Sequence, residues 1–232
     1  MELLWNGLLE AARLIVMGDP DVLQITWLSL QISGSATLLS LLVGIPVGMA
    51  LALARFPGRS LCVALVNTGM GLPPVVVGLF VSLFLWRSGP LGFLGFLYTP
   101  TAMVVAQFII AAPIVTGLTS AAMQQLNPRL RLQLLALGAS RWQLLWLLMR
   151  EARLPLLAAV MAGFGGVISE VGASMMVGGN LQGQTRVLTT ATVLETSKGN
   201  FDLAIALSVI LLLLAFSVNY LLTWIQQRGR TP

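Results

Sequence analysis

Five apolar stretches, at about residues 23–54, 60–86, 101–125, 155–178 and 201–226, constrain this chain more than any other feature. Crossing a hydrocarbon core of about 30 Å takes roughly 20 helical residues, so each stretch is long enough to span a bilayer. The core of a bilayer offers backbone groups no water, and runs of this length satisfy themselves as helices. With 57% hydrophobic residues and a mean hydropathy of +0.90, the chain carries more apolar surface than a soluble domain could bury. The expected fold is an all-α integral membrane protein with about five spanning helices.

Two of the stretches contain irregular sequence. Gly44-Ile45-Pro46 predicts a kink, or an interfacial first turn, in an overlong first span. Gly71-Leu72-Pro73-Pro74 removes backbone donors from the second, a break tolerated where protein or water surrounds it. Residues 1–22 have no basic n-region and no small-residue cleavage pattern. They are expected to form an amphipathic interfacial segment rather than a removable signal.

The few charges set the orientation. With five spans, one side receives Arg55, Arg59, Arg129, Arg131, Arg141, Arg150, Arg153, Arg228 and Arg230 against the single acid Glu151. The other side receives Arg13, Arg87, Arg186 and Lys198 against Glu2, Glu10, Asp19, Asp21, Glu195 and Asp202. The positive-inside rule then puts the N-terminus outside, and the C-terminus, with a short tail at 228–232, in the cytoplasm of a multi-pass inner-membrane protein. A pI near 10.7 would suit nucleic acid, but basic residues clustered between spans are topology signals, so no nucleic-acid partner is expected.

Catalytic classes lose ground on composition. Cys62 is the only cysteine and there is no histidine, which removes intrachain disulfides and any His-based metal site, triad or proton shuttle. No metal and no cofactor are expected. An intramembrane enzyme would need catalytic dyads that the chain lacks, and no GxxxxGK[ST] phosphate loop is present.

The charge is densest in Ala136–Pro155, ALGASRWQLLWLLMREARLP, which holds three arginines and Glu151 although charged residues make up only 9% of the chain. Arg131–Leu137 is helix-prone, and Gly138 suits the left-handed residue that closes a helix. Ser140 followed by Gln143 matches a capping box opening another helix. That second helix mixes Trp142, Leu144, Leu145, Trp146 and Leu148 with Arg141, Arg150 and Arg153. It is too charged to span and should lie on the cytoplasmic surface, with Pro155 in the first turn of the next span. A plain basic interfacial loop fits these residues as well. A helix-turn-helix DNA reader fits less well, because both helices are tied closely to spans.

Gly138-Ala139-Ser140-Arg141-Trp142, with Leu154-Pro155 ending the loop, resembles the cytoplasmic EAA loop of ATP-binding cassette (ABC) importer permeases. The Glu-Ala-Ala of that motif is replaced by Arg-Leu-Gln-Leu at Arg131–Leu134. The resemblance continues in Glu170–Ala173 (EVGA), Val177–Asn180 (VGGN), Thr185–Ala191 (TRVLTTA) and Leu194–Gly199 (LETSKG), an order similar to permeases of the molybdate, tungstate and sulfate importers, the tungstate type most of all. It covers about residues 23–227, the expected permease domain. It implies a type I ABC-importer transmembrane domain in which Gly138–Trp142 belong to a coupling helix docking on an ATPase subunit. It also implies an external oxyanion-binding protein, a second permease copy forming a homodimer, and transport of an oxyanion, tungstate before molybdate or sulfate. A channel or secondary transporter would leave the surface helix without a purpose.

Four residues are candidates for the gate or pathway. Ala158, Ala162, Gly166, Glu170, Ser174 and Gly178 recur every four residues and predict one narrow helix face that lets a neighbour approach closely. Glu170 is the only ionisable residue deep in a span, so it marks either a cavity or a hydrogen-bonded contact. Its charge would repel a dianion, which favours gating or packing over ligation. Arg186, Thr189 and Thr190, with Thr192, offer donors to an oxyanion arriving from outside; the same residues would equally suit an external gate helix with Arg186 solvated.

Overall fold

The computed structural model describes residues 2–228. Its first helix, α1 (Glu2–Met17), ends at Gly18, whose φ of +64° turns the chain. Asp19 then accepts a hydrogen bond from Val22 N at 3.0 Å, and Pro20 supplies the first turn of α2 (Pro20–Leu53). This is a standard helix start, with a capping carboxylate and a proline where no N–H is needed. α1 lies against the last helix, α11 (Phe201–Arg228), closely enough that a side chain at Gly7 would run into Ile205.

α2 continues through Pro46 as one helix. Its partner is α5 (Pro100–Gln124), which likewise carries Pro113 inside the helix. A Cβ on Gly44 would come within 2.8 Å of Val115, and one on Gly48 within 2.6 Å of the Thr116 carbonyl oxygen. Apolar tails give helices no hydrophobic reason to associate, so close backbone approach through small residues takes that place. Along the seam, Thr37, Ser40 and Thr116 donate their hydroxyls to carbonyls one turn back. Thr119, which also faces Gly48, is the exception: its hydroxyl is buried without a partner.

The second and fourth stretches are not single continuous helices. α3 (Arg59–Met70) and α4 (Pro74–Leu85) meet at 103° across Gly71–Pro73. α8 (Arg153–Ile168) stops at Ser169, and a separate short helix, α9 (Gly172–Gly178), begins three residues later. The face predicted from Ala158 to Gly178 therefore does not exist as one helix face: the break at Ser169–Val171 separates Ala158, Ala162 and Gly166 from Ser174 and Gly178. The four-residue spacing survives in the sequence, but the helix carrying it does not. The two breaks lie side by side, since a Cβ at Gly172 would stand 2.5 Å from Val75 and one at Gly78 2.6 Å from the Ala173 Cα.

Among the described residues three helices are long and apolar enough to cross a membrane unaided, α2, α5 and α11. Two bent pairs, α3 with α4 and Arg141–Glu151 with α8, reach that length and apolarity only when each pair is taken together. The other helices are α6 (Pro128–Ala136), α7 (Arg141–Glu151) and α10 (Leu188–Ser197). Residues 229–232 of the expected tail lie outside the described ones.

Candidate functional site

At the Arg-rich end, sequence and structure agree closely. Leu137 N, Gly138 N and Ala139 N donate to the carbonyls of Gln133, Leu135 and Leu134. The last two bonds are the paired closure of a Schellman motif, and Gly138 has the left-handed φ of +82° that this closure needs. Ser140 Oγ accepts from Gln143 N at 3.3 Å while Gln143 Oε1 accepts from Ser140 N at 2.8 Å, so the capping box forms in both directions. α7 then leaves at once and meets α8 at 72°.

What holds α7 in place is its inner face. Leu144 and Leu148 are buried with Met49 of α2, Met123 of α5 and Ala152. Its outer face is bare: Trp142 is 82% exposed, Trp146 65%, and Leu137 in the turn 85%. A shallow cavity of about 520 Å³ beside the turn is lined by Leu134, Gly138, Ala139, Gln143, Trp146 and Leu147. Arg59 Nε donates to the Leu51 carbonyl at 2.6 Å and Arg131 Nη1 to the Leu53 carbonyl at 3.1 Å. Both arginines thus cap the C-terminal end of α2, where its dipole is negative. Sequence reading did not foresee this capping by either arginine.

The second cluster surrounds the break between α8 and α9. Glu170 is 7% exposed, and its two carboxylate oxygens accept from Ala173 N and Ser174 N, each at 3.0 Å. A carboxylate bonded to the first free N–H groups of a helix is a capping group. Thr189 Oγ1 donates to the Glu170 carbonyl at 2.9 Å, tying α10 to the same break. Thr190 Oγ1 bonds Val187, accepting from its N–H and donating to its carbonyl, and Thr192 donates to the Leu188 carbonyl. The hydroxyl protons expected to meet an oxyanion are committed to backbone carbonyls in this conformation. Among these candidates the structure brings Glu170 and Thr189 into contact.

Arg186 stands apart from that pair. It is half-buried and lines a cavity of about 430 Å³ with Glu10, Asp19, Asp21, Glu195 and Lys198. Its Nη2 reaches the Asn180 carbonyl at 3.5 Å, and its Nε is buried without a partner. Glu195 accepts from Lys198 Nζ at 2.7 Å and Asn200 Nδ2 at 2.8 Å. Those two hydrogen bonds, Asn200's foremost, hold its carboxyl below the ordinary value despite its burial, with the charges of Lys198 and Arg186 helping. Sequence reasoning missed Thr185, which fastens the loop after α9 by donating to the Gly178 carbonyl and accepting from Leu181 N. It also missed Gln107, buried on α5 and bonded to Ser174 Oγ at 3.3 Å. Nothing in an apolar stretch distinguishes such a glutamine until its partner is known.

An all-α chain with two bent helix pairs between its long apolar helices and a short helix at its Arg-rich end has the make-up of a transport permease. Residues 44–231 match the family described as binding-protein-dependent transport system inner membrane component, and the chain belongs to that family of multi-pass inner-membrane permeases. It is 38% identical over 227 residues, 98% of this chain and 100% of the other, to the tungstate uptake system permease protein TupB of Peptoclostridium acidaminophilum. A probable anion ABC transporter permease protein of Haloferax volcanii is 40% identical, covering 94% of this chain and 97% of its own. Among solved structures, the MetNI methionine ABC transporter in inward-facing conformations superimposes with a TM-score of 0.67 at 22% identity, over 90% of this chain and 94% of the other. The fold is that of the type I ABC-importer transmembrane domain.

Proposed function

We propose that the chain is the permease subunit of an ABC importer that carries an oxyanion, tungstate in preference to molybdate or sulfate, with ATP hydrolysed by a separate ATPase subunit. The observation that carries this reading is the turn at Gly138. It presents Trp142, Trp146 and Leu137 bare at the charged end of a membrane protein, where exposed aromatic surface of this kind belongs to an interface. Gly138, Ala139, Ser140, Arg141 and Trp142 form the docking element. Glu170, Thr189 and Thr190 set the conformation of a gate made by α9 and α10, and Arg186 stands at its outer edge. The substrate class is supported by the named functions of the relatives above.

The functional unit is residues 23–227, with 1–22 as an interfacial arm and 228–232 as a cytoplasmic tail. The N-terminus is outside and the Arg-rich end is cytoplasmic. Two copies enclose the pathway, and an external binding protein delivers the oxyanion. The test is reconstitution: the chain is purified with its ATPase and binding protein and placed in proteoliposomes. Co-elution of the ATPase and ATP-dependent uptake of tungstate faster than molybdate or sulfate are expected. Absence of a bound ATPase would sink the coupling role, and equal or faster uptake of another oxyanion would sink the substrate assignment.

A further inference from the structure

Gln107 presents a problem that the fold does not solve. It is 3% exposed on a stretch of α5 whose buried neighbours Met103, Ala106, Ile110 and Ala111 are all apolar. Its amide can make up to four hydrogen bonds, yet it makes one, to Ser174 Oγ, while its other end is buried without a partner. A buried polar group left unpaired destabilises the conformation that contains it. An unbranched apolar side chain of the same length would fill the space without that penalty.

Ser174 is no ordinary partner. It lies in the first turn of α9, is 1% exposed, and its N–H is held by the Glu170 carboxylate. Gln107 therefore touches the same turn that Glu170 caps and, through Glu170, the break that Thr189 ties to α10. A buried hydroxyl without a partner, Ser82 Oγ, sits on α4, which packs against α9 through Gly78 and Ala173. Unmet hydrogen-bonding capacity is thus present on both α4 and α5, which flank α9.

We infer that Gln107 is a positioning residue of the transport cycle: it destabilises the present seat of α9 and is better satisfied when α9 shifts, which brings the two seats closer in free energy. A group that weakens one conformation selectively raises the share of the other. The inference rests on the gate reading of α9 given above, and it assigns Gln107 an effect on turnover rather than on substrate affinity.

The experiment uses the full complex of permease, ATPase and binding protein in proteoliposomes, comparing wild type with Gln107→Met, Ser174→Ala and the double variant. Three quantities are read: the thermal midpoint of the detergent-solubilised complex, the binding-protein-stimulated ATPase rate, and the Vmax and KM of tungstate uptake. Gln107→Met is expected to keep or raise the thermal midpoint, leave KM unchanged and lower maximal turnover roughly fivefold or more. Ser174→Ala, which strips Gln107 of its last bond, is expected to lower the midpoint. The double variant is expected to recover the midpoint without recovering turnover. Unchanged turnover in Gln107→Met overturns the inference. So does a fall in turnover that merely accompanies a fall in midpoint, and so does a raised KM at normal Vmax. If wild type turns over ATP but imports no tungstate, the substrate assignment fails alone, and the ATPase rates still decide the role of Gln107.

Discussion

Glu170 shows how much a single residue's surroundings change its meaning. Read from sequence, Glu170→Gln keeps the shape of the group and removes only its charge. In the structure both oxygens accept backbone N–H groups, from Ala173 and Ser174. An amide offers one oxygen, and its NH₂ would face a donor. Glu170→Gln is therefore expected to lose one charge-assisted bond and leave an N–H unpaired, a cost of roughly 2 kcal/mol. The check is the thermal midpoint of the solubilised permease, where a value equal to wild type would show that the cap contributes nothing. Glu195 gives a pH-dependent counterpart. Its carboxyl is held below the ordinary 4.5 by Asn200 and Lys198, so the folded state favours the charged form. That contribution is fully present above about 4.5 and is lost as pH falls through the lowered folded value. The midpoint of wild type should exceed that of Glu195→Gln at neutral pH, and the gap should close in acid. A gap independent of pH would show that packing, not charge, distinguishes the two.

At the scale of elements, the turn between α6 and α7 yields a prediction that separates backbone strain from crowding. A Cβ at Gly138 would meet nothing within 4 Å, so the difficulty with any other residue is its φ of +82° alone. Gly138→Ala should cost about 1 kcal/mol and the β-branched Gly138→Val more. Membrane insertion should be intact, and substrate-stimulated ATP hydrolysis in the assembled complex should fall in the order Gly, Ala, Val. Normal stimulation in Gly138→Val would remove the turn from the coupling role. This turn was legible in the sequence because its signals are local: a left-handed residue and a box closed within three residues. The breaks were only half legible. Gly71-Leu72-Pro73-Pro74 announces itself by missing donors, whereas Ser169-Glu170-Val171 contains no proline or glycine. Its signal is Glu170, which reads as a polar residue on a helix face until its carboxylate is seen capping the next helix. Pro46, by contrast, leaves α2 continuous. One lost hydrogen bond does not end a helix whose Gly44 and Gly48 let α5 lie close, since breaking it in lipid would expose more groups than the proline does.

For the molecule as a whole, the distribution of charge and of bonded ends sets up the last prediction. The two ends are chemically different. One gathers Arg59, Arg131 and α7 around the terminus of α2, and Gln226 of α11 reaches the Leu154 carbonyl there at 3.2 Å. The other gathers Asp19, Asp21 and Glu195 around Arg186 and Lys198, and Gln24 reaches the Gly183 carbonyl. Between them the exposed side chains of α2, α4 and α11, such as Leu42, Phe80, Leu83, Leu212 and Phe216, are apolar, as a surface facing lipid must be. α11 runs from the acidic end to the Arg-rich end, so its two ends are expected on opposite sides of the membrane. The excess of arginine predicts that the second end is the cytoplasmic one. In a Cys62→Ser background, a cysteine at Ser197, exposed beside the start of α11, should react with an impermeant maleimide in intact cells. A cysteine at Gln227, exposed at its far end, should react only after permeabilisation. The reverse pattern would invert the orientation and detach α7 from any cytoplasmic ATPase. Labelling of both sites from one side would mean that α11 does not cross the membrane.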